Sequence, residues 1–581
     1  MTPFSPAVLV HVRTNAPALA GGVLDYDRLL SEDLATLDFY DSRRHRAALT
    51  GSDMRCRIRA RAGALAARGL GHGDRVVMVA TNDEQYVTTL LAVLLLGAVP
   101  CAVAAPPTPS REDSAGVRHL RAAIRVVNPT MVLGPAAVAA AVSHPGLLDY
   151  QECQAAQQFS DIPPPPPRSD DLHHIQLTSG STSDPKAVAL THRNVAHNLG
   201  VLAHGMGVRR GRDRMFSWLP MYHDMGLIQV LGGLLYGLPV ALMTPLGFLR
   251  DPLSWARHMS GHGSTVTAGP TFAYRGAADA LRRSVGDTTE IELSALRHAF
   301  VGAEPIDGGT LRYFTDSFAP FGLSADALVP CYGMAESVLA TTLALRSAPE
   351  EPGNFGRVRT VAADDVHPAV VSCGPAVDGM RVAVVDSGGA EVSCGVIGDI
   401  RISGASVMVG YLGADGALQR PPGGWHDTGD RGFLRDGELF VVGRSKEMLI
   451  IRGRNLPPYD VERTLGELPE VGPGQAVVFC TPDADRGRER VVAVLATGVN
   501  DPQRRRQIQD EAAARVRQVF GFSLDDVVLV AKTSIPRTTS GKIQRLAVRE
   551  RYASTSICLD QHLTVSTSSS ATAPRWPDPA R

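Results

Sequence analysis

Short apolar or β-branched runs recur along the first half of the chain and alternate with longer stretches of helical character. Arg75-Val-Val-Met-Val-Ala80, Met131-Val-Leu-Gly134, Pro239-Val-Ala-Leu-Met243 and Gly263-Ser-Thr-Val-Thr-Ala268 read as strands of this kind. Strands alternating with helices imply an α/β fold with largely parallel sheets. Two uncharged stretches could pass for membrane spans. Gly97 and Pro100 divide residues 87–105 into a helix of about ten residues and a following strand. Residues 227–243 are broken by Gly232, Gly233, Gly237 and Pro239, so both stretches read as buried βα patterns.

From Val371 the pattern changes to short strands with Gly-rich turns, such as Arg381-Val-Ala-Val-Val-Asp386 and Gly398-Asp-Ile-Arg-Ile-Ser-Gly404, which predicts a β-rich subdomain. Glu438-Leu-Phe-Val-Val-Gly-Arg-Ser-Lys446 closes it. Ala476-Val-Val-Phe-Cys480, Val491-Val-Ala-Val-Leu495 and a helical stretch over 507–520 then read as a small separate unit. The expected domains are therefore 1–445 and 446–560, followed by a Ser-, Thr-, Ala- and Pro-rich tail over 561–581 that is expected to be disordered. The Pro163 to Pro167 run, after a Gln-rich patch, reads as a stiff connector that delivers the chain directly into the Ser- and Thr-rich loop beyond Leu177.

Composition narrows the function classes. At 581 residues the chain exceeds what one core organises, and 44% apolar residues suffice for several. Lys and Arg number 58 against 59 Asp and Glu, a formal charge of -1, so there is no overall field to hold nucleic acid or an anionic membrane. Eight scattered cysteines without a Cys-x-x-Cys pair fit a reducing compartment, and the opening Met1-Thr-Pro-Phe-Ser-Pro lacks the basic and apolar regions of a secretory signal. A cytoplasmic location and no stable membrane insertion are expected.

The chemistry concentrates where an apolar strand runs into Leu177-Thr-Ser-Gly-Ser-Thr-Ser-Asp-Pro-Lys186. Backbone N–H groups of a small-residue turn form an anion-binding concavity, hydroxyls add donors, and a lysine adds a point charge. The loop suggests a polyphosphate such as ATP. It is not a Walker A loop, because Pro185 precedes Lys186 and Ala187 follows it.

Four further islands follow: Trp218-Leu-Pro-Met-Tyr-His-Asp-Met-Gly226, Cys331-Tyr-Gly-Met-Ala-Glu336, Trp425-His-Asp-Thr-Gly-Asp430 with Gly443-Arg444, and Thr538-Thr-Ser-Gly-Lys542. In this order they resemble the adenylate-forming superfamily of acyl-CoA synthetases, amino-acid adenylation domains and luciferases, over roughly residues 25 to 550. Ser217-Trp-Leu-Pro-Met-Tyr-His-Asp-Met-Gly-Leu227, Gly269-Pro-Thr-Phe-Ala-Tyr274, Val301-Gly-Ala-Glu-Pro305, Val371-Ser-Cys-Gly374 and Arg452-Gly-Arg-Asn455 look most like fatty acyl-AMP ligases.

The resemblance implies an adenylate-forming fold, with a large N-terminal domain of parallel-sheet α/β subdomains plus a β-rich subdomain, and a small mobile C-terminal α+β domain. It implies ATP and Mg²⁺, an acyl-AMP product, and transfer to the phosphopantetheine thiol of an acyl carrier protein. By position, Thr178, Ser179, Gly180, Ser181, Thr182 and Lys186 would hold the phosphates. Ala303, Glu304, Tyr332, Gly333 and Met334 would line the nucleotide site, with Tyr332 and Gly333 as the adenine shelf; Asp430 would take the ribose hydroxyls and Arg444 the ribose or phosphate side. Glu336 matches the magnesium ligand, Lys542 the mobile catalytic lysine, Lys446 the hinge, and His223 a residue that gates the acyl pocket. Asp224 reads as a hydrogen-bond acceptor, and His173 and His174 as residues of the strand into the loop. Met221, Met225 and Phe272 suggest an apolar, adaptable acyl pocket.

The chain also departs from its relatives. Ala187 stands where many have Gly, which would restrict φ and narrow the loop's exit. Asp399 replaces a usual Glu, and Leu456 a usual His. Residues 346–370 read as the extra segment that acyl-AMP ligases carry, and favour a carrier protein over coenzyme A as acceptor. Arg504, Arg505, Arg506, Arg515 and Arg517 would form either a basic face for an acidic carrier protein or an ordinary solvated helix face. Two alternatives stand beside the ligase: an acyl-CoA ligase, and a binding protein without turnover.

Overall fold

The computed structural model describes residues 5–15, 19, 22–31, 34–106, 114–140, 142–154, 167–178, 185–284, 290–351, 353–362, 369–413, 415–451, 454–483, 488–537 and 543–563. The tail after 563 and most of the proline run lie outside them.

Two eight-stranded sheets carry most of the chain. In one, Leu172–Thr178, Val99–Ala104, Arg75–Ala80, Met131–Gly134 and Leu147–Asp149 run parallel. Every residue of Val99–Ala104 is buried, as expected of a strand covered on both faces. The covering helices start at side-chain caps: Asp83 accepts from Tyr86 N ahead of Glu84–Leu95, and Thr191 with Asn194 forms a reciprocal capping box ahead of His192–Met206. In the other sheet Leu328–Tyr332, His298–Val301, Val266–Gly269, Met215–Ser217, Val240–Met243 and Leu37–Tyr40 run parallel, flanked by antiparallel edges at Thr342–Leu343 and His45–Leu49.

The fold is the α/β architecture read from the alternation of strands and helices, with one difference. Beyond Leu172–Thr178 the first sheet continues through three antiparallel strands, Lys186–Thr191, Gly410–Leu412 and Leu418–Gln419. Ala187 therefore lies inside a strand, opposite Leu177 on one side and Leu412 on the other, and is 1% exposed. It does not narrow a loop exit: extended backbone suits alanine, and the small side chain packs between its neighbours.

A four-stranded antiparallel sheet of Met380–Val385, Gly398–Gly404, His426–Arg435 and Glu438–Arg444 follows. Ala476–Asp483, Arg488–Ala496 and Asp526–Val530 then form a three-stranded sheet. Pro458–Gly466 and Pro502–Phe520 cover one face through Val461, Leu465, Ile508 and Val516, while Arg545–Leu563 covers the other through Val548 and Tyr552.

Candidate active site

Thr178 and Lys186 face each other at the end of an antiparallel hairpin, so the hydroxyl-rich loop joins two strands rather than leading into a helix. Both line a cleft of about 2000 Å³. Ser179, Gly180, Ser181 and Thr182 lie outside the described residues, as does Lys542. The adjoining strand brings Tyr411 to this corner, opposite Val188. Lys186 Nζ sits 4.9 Å from the centre of the Tyr411 ring, and Tyr411 Oη donates to Glu336 Oε1 at 2.7 Å. Burial and the Glu336 charge push the Tyr411 phenol up, which keeps it a donor. The His426 ring lies 6.3 Å from that of Tyr411 and is held below its ordinary value mainly by burial, which Glu336 and Asp427 oppose. Neither Tyr411 nor His426 was assigned a part from sequence. His426 stood within the Trp425 to Asp430 island, but nothing local marks Tyr411.

Asp430 forms a second centre. It is 8% exposed and paired in register with Arg444 across the hairpin of His426–Arg435 and Glu438–Arg444. Tyr332 Oη donates to its Oδ2 at 2.8 Å, and Arg444 Nε lies 3.4 Å from its Oδ1. Burial raises the Asp430 carboxyl, while Arg444 and the Tyr332 hydrogen bond pull it back down. A buried carboxylate flanked by a phenol and a cation is a ready acceptor for paired hydroxyls.

Around it the backbone is tightly drawn. A Cβ on Gly333 would sit 1.6 Å from the Leu339 carbonyl oxygen, so glycine is demanded there by the chain's own packing. Ala303 and Val338 hold φ at +66° and +68°, strained values that flank the same cleft. Glu304 lines the cleft beside Ala303. Its Oε1 accepts from Phe272 N at 2.7 Å, at the start of the helix Thr271–Arg283, which commits that oxygen to the fold. Met334 lines the cleft, its N–H turned back onto Ser337 Oγ at 3.3 Å.

The cleft continues past Met225 and Phe272 to Met215, Gly232, Tyr236 and Phe300. Met221 is different: it is fully buried in the core, with its N–H on Asn82 Oδ1 at 3.2 Å. His223 precedes the helix Asp224–Leu235, and its Nδ1 lies 2.5 Å from Asp224 Oδ1, which also accepts from Met225 N at 2.6 Å. His173 and His174 stay in the interior, bonded to each other at 2.7 Å, with Tyr26 Oη on His173 Nε2 at 2.7 Å.

A lysine, a carboxylate beside it, and a buried ribose-type acceptor thus open onto one apolar cleft. The family described as AMP-binding enzyme matches residues 33–412. The chain belongs to this family. This AMP-binding enzyme is 31% identical over 83% of its length to the Long-chain-fatty-acid--AMP ligase FadD28 of Mycobacterium tuberculosis, covering 88% of that protein. It is 34% identical over 66% of its length to the Medium-chain-fatty-acid--[acyl-carrier-protein] ligase JamA of Moorena producens, covering 68% of it. A solved fatty acyl-adenylate ligase, from work on the E. coli and L. pneumophila enzymes, superposes with a TM-score of 0.81 at 30% identity, over 93% of this chain and 98% of that one. The adenylate-forming fold and ligase class follow from these matches. Among the described residues, no helix is long and apolar enough to cross a membrane.

In this AMP-binding enzyme Lys446 occupies the one-turn helix Ser445–Glu447. Ser445 Oγ donates to Asp399 Oδ1 at 2.9 Å on one side, and Glu447 takes Arg545 on the other. Lys446 therefore separates an anchor to the four-stranded sheet from an anchor to the C-terminal unit. Of the five arginines read as either a basic face or an ordinary solvated helix face, two are paired with carboxylates. Arg504 bonds Glu470 and Glu511, Arg515 bonds Glu467, and Arg505 donates to the carbonyls of Val499 and Leu529. Within 346–370, Arg359 bonds Asp436 at 2.5 Å and Glu438 at 3.2 Å, and Arg357 lies 3.1 Å from His298 Nδ1.

Proposed function

We propose that this enzyme activates a fatty or other apolar carboxylic acid with ATP, forms acyl-AMP with release of pyrophosphate, and transfers the acyl group to the phosphopantetheine thiol of an acyl carrier protein. The observation that carries the reading is the shared cleft of Lys186, Glu336 and Asp430, whose walls continue into the apolar lining at Met225, Phe272 and Tyr236. In this reading the substrate carboxylate attacks the α-phosphorus, the bond to pyrophosphate breaks, and both anions must be held by fixed cations and donors. Thr178, Ser179, Gly180, Ser181, Thr182 and Lys186 grip the departing phosphates, while Tyr332, Gly333, Met334 and Ala303 border the nucleoside. Asp430 and Arg444 take the ribose side.

Glu336 suits magnesium as one carboxylate beside phosphate oxygens, and the ion supplies charge neutralisation there. Lys542 bridges the reacting oxygens from a mobile domain spanning 446–560, turning about Lys446 on the 1–445 domain. His223 positions the acid at the pocket mouth. In the second step the thiol sulfur attacks the acyl carbon, the carbon–oxygen bond to phosphate breaks, and AMP leaves.

The names of JamA and FadD28 support a fatty acid substrate, and that of JamA a carrier-protein acceptor. The extra segment read over residues 346–370 favours the second. A panel of carboxylic acids with ATP and magnesium, trapped by hydroxylamine, tests the first step, and no hydroxamate with any acid overturns it. Comparison of holo carrier protein with coenzyme A tests the second, and equal or faster thioester formation on coenzyme A selects the acyl-CoA ligase instead.

A further inference from the structure

Two adjacent residues of the helix Pro458–Gly466 face in different directions, about 100° apart at 3.6 residues per turn. Glu462, 7% exposed, faces into the C-terminal unit. Its Oε1 accepts from Val478 N at 2.8 Å and Arg545 Nε at 3.0 Å, and its Oε2 from Arg545 Nη2 at 2.9 Å. Arg463 faces outward, and its Nη1 donates to Asp307 Oδ1 at 3.0 Å. Asp307 belongs to the other side of the cleft. Its second oxygen caps the helix Gly308–Phe318, accepting from Thr310 N at 2.9 Å and Thr310 Oγ1 at 2.7 Å. The carboxylate is therefore held in place before Arg463 arrives.

We propose that Arg463 is a positioning residue for acyl-AMP formation, docking the C-terminal unit, to which Lys542 belongs, against Asp307 through the helix Pro458–Gly466. This rests on the function proposed above. The connection is short and stiff: Asp307 to Arg463, one helix to Glu462, then Arg545, whose side chain is 12% exposed and which begins the helix Arg545–Leu563 just past Lys542. Arg537 and Ile543, the described residues on either side of that segment, bridge to each other and line the cleft with Asp430 and Tyr332. Tyr459, half-buried on the same helix as Arg463, also feels the charges of Asp307 and Glu304. For transfer, the thiol must reach the acyl carbon through this cleft, and the C-terminal unit must lift away. The Arg463 contact then serves the first step alone.

The test separates the two steps. ATP–pyrophosphate exchange is measured with dodecanoic acid, or with whichever panel acid exchanges fastest, and transfer is measured from synthetic dodecanoyl-AMP to pantetheine. Arg463→Ala is expected to lower kcat for exchange by about ten-fold, the size of one well-formed pair coupling, while transfer stays within about two-fold of the parent. Arg463→Lys is expected to recover most of the exchange, which a misfolded variant would not. Exchange at the parent rate in Arg463→Ala, or an equal loss in both steps, overturns the proposal. A parent enzyme that makes no acyl-AMP with any acid overturns instead the function on which it rests.

Discussion

Each decisive side chain at the site depends on a neighbour that sets its charge or aim. Asp430 is raised by burial and held down by Arg444 and Tyr332. In the proposed function the ionised form accepts the ribose hydroxyls, so nucleotide binding is expected to weaken as pH falls through the Asp430 value. Arg444→Ala removes a charge that favours ionisation and is expected to move this acid limb of the KM for ATP to higher pH. An unmoved limb would mean that Asp430 does not control it. Lys542→Ala is expected to keep ATP binding and lose about 10²- to 10³-fold in pyrophosphate exchange, the usual effect of removing one well-placed electrostatic donor. Near-parental exchange would remove Lys542 from the mechanism.

Tyr332, Asp430 and Arg444, which the structure brings together, each sit in a compact island of the sequence, and that made the grouping legible. Tyr411 was not, since it meets Glu336 only because Gly410–Leu412 pairs with Lys186–Thr191. Glu304 lines the cleft and also accepts from Phe272 N at a helix start, a bond that nothing local in the sequence marks.

Among the elements, the parallel strands were readable as apolar runs. Arg75–Ala80 and Met131–Gly134 start and stop as their residues indicate. Antiparallel additions at a sheet edge escape this kind of reading, because partners so far apart in sequence leave no periodic trace. The hairpin shows the cost of missing them, as Ala187 looked like a constraint on a loop and is a packed strand residue. Ala187→Gly is accordingly expected to lower unfolding stability by roughly 0.5–1 kcal/mol, without raising the exchange rate. A denaturant titration beside the exchange assay decides it, and a faster variant would restore the loop-constraint reading.

Across the whole molecule the buried histidines make the fold sensitive to acid. Burial lowers His174 to about 3 and His192, His197, His262 and His298 to about 4, against 6.5 for the free side chain. Folded-state values lie below unfolded ones, so the unfolded chain binds the extra protons. Stability is complete above pH 6.5 and is lost as pH falls toward 4, each histidine contributing up to about 1.4 kcal/mol per pH unit. Thermal melting followed from pH 7.5 to 4.5 is expected to show a steep fall below 6.5, whereas a flat profile would place these side chains in water.

The hairpin that ends at Thr178 and Lys186 also bears on synthesis. Lys186–Thr191 stays an open edge on its outer side until Gly410–Leu412 has left the ribosome, and that strand in turn until Leu418–Gln419 follows. A nascent chain halted between these points presents an unpaired edge of small apolar residues, the kind of surface that recruits other strands. The strand that ends the Thr178 to Lys186 hairpin is thus an edge that only a chain complete past Leu418–Gln419 covers.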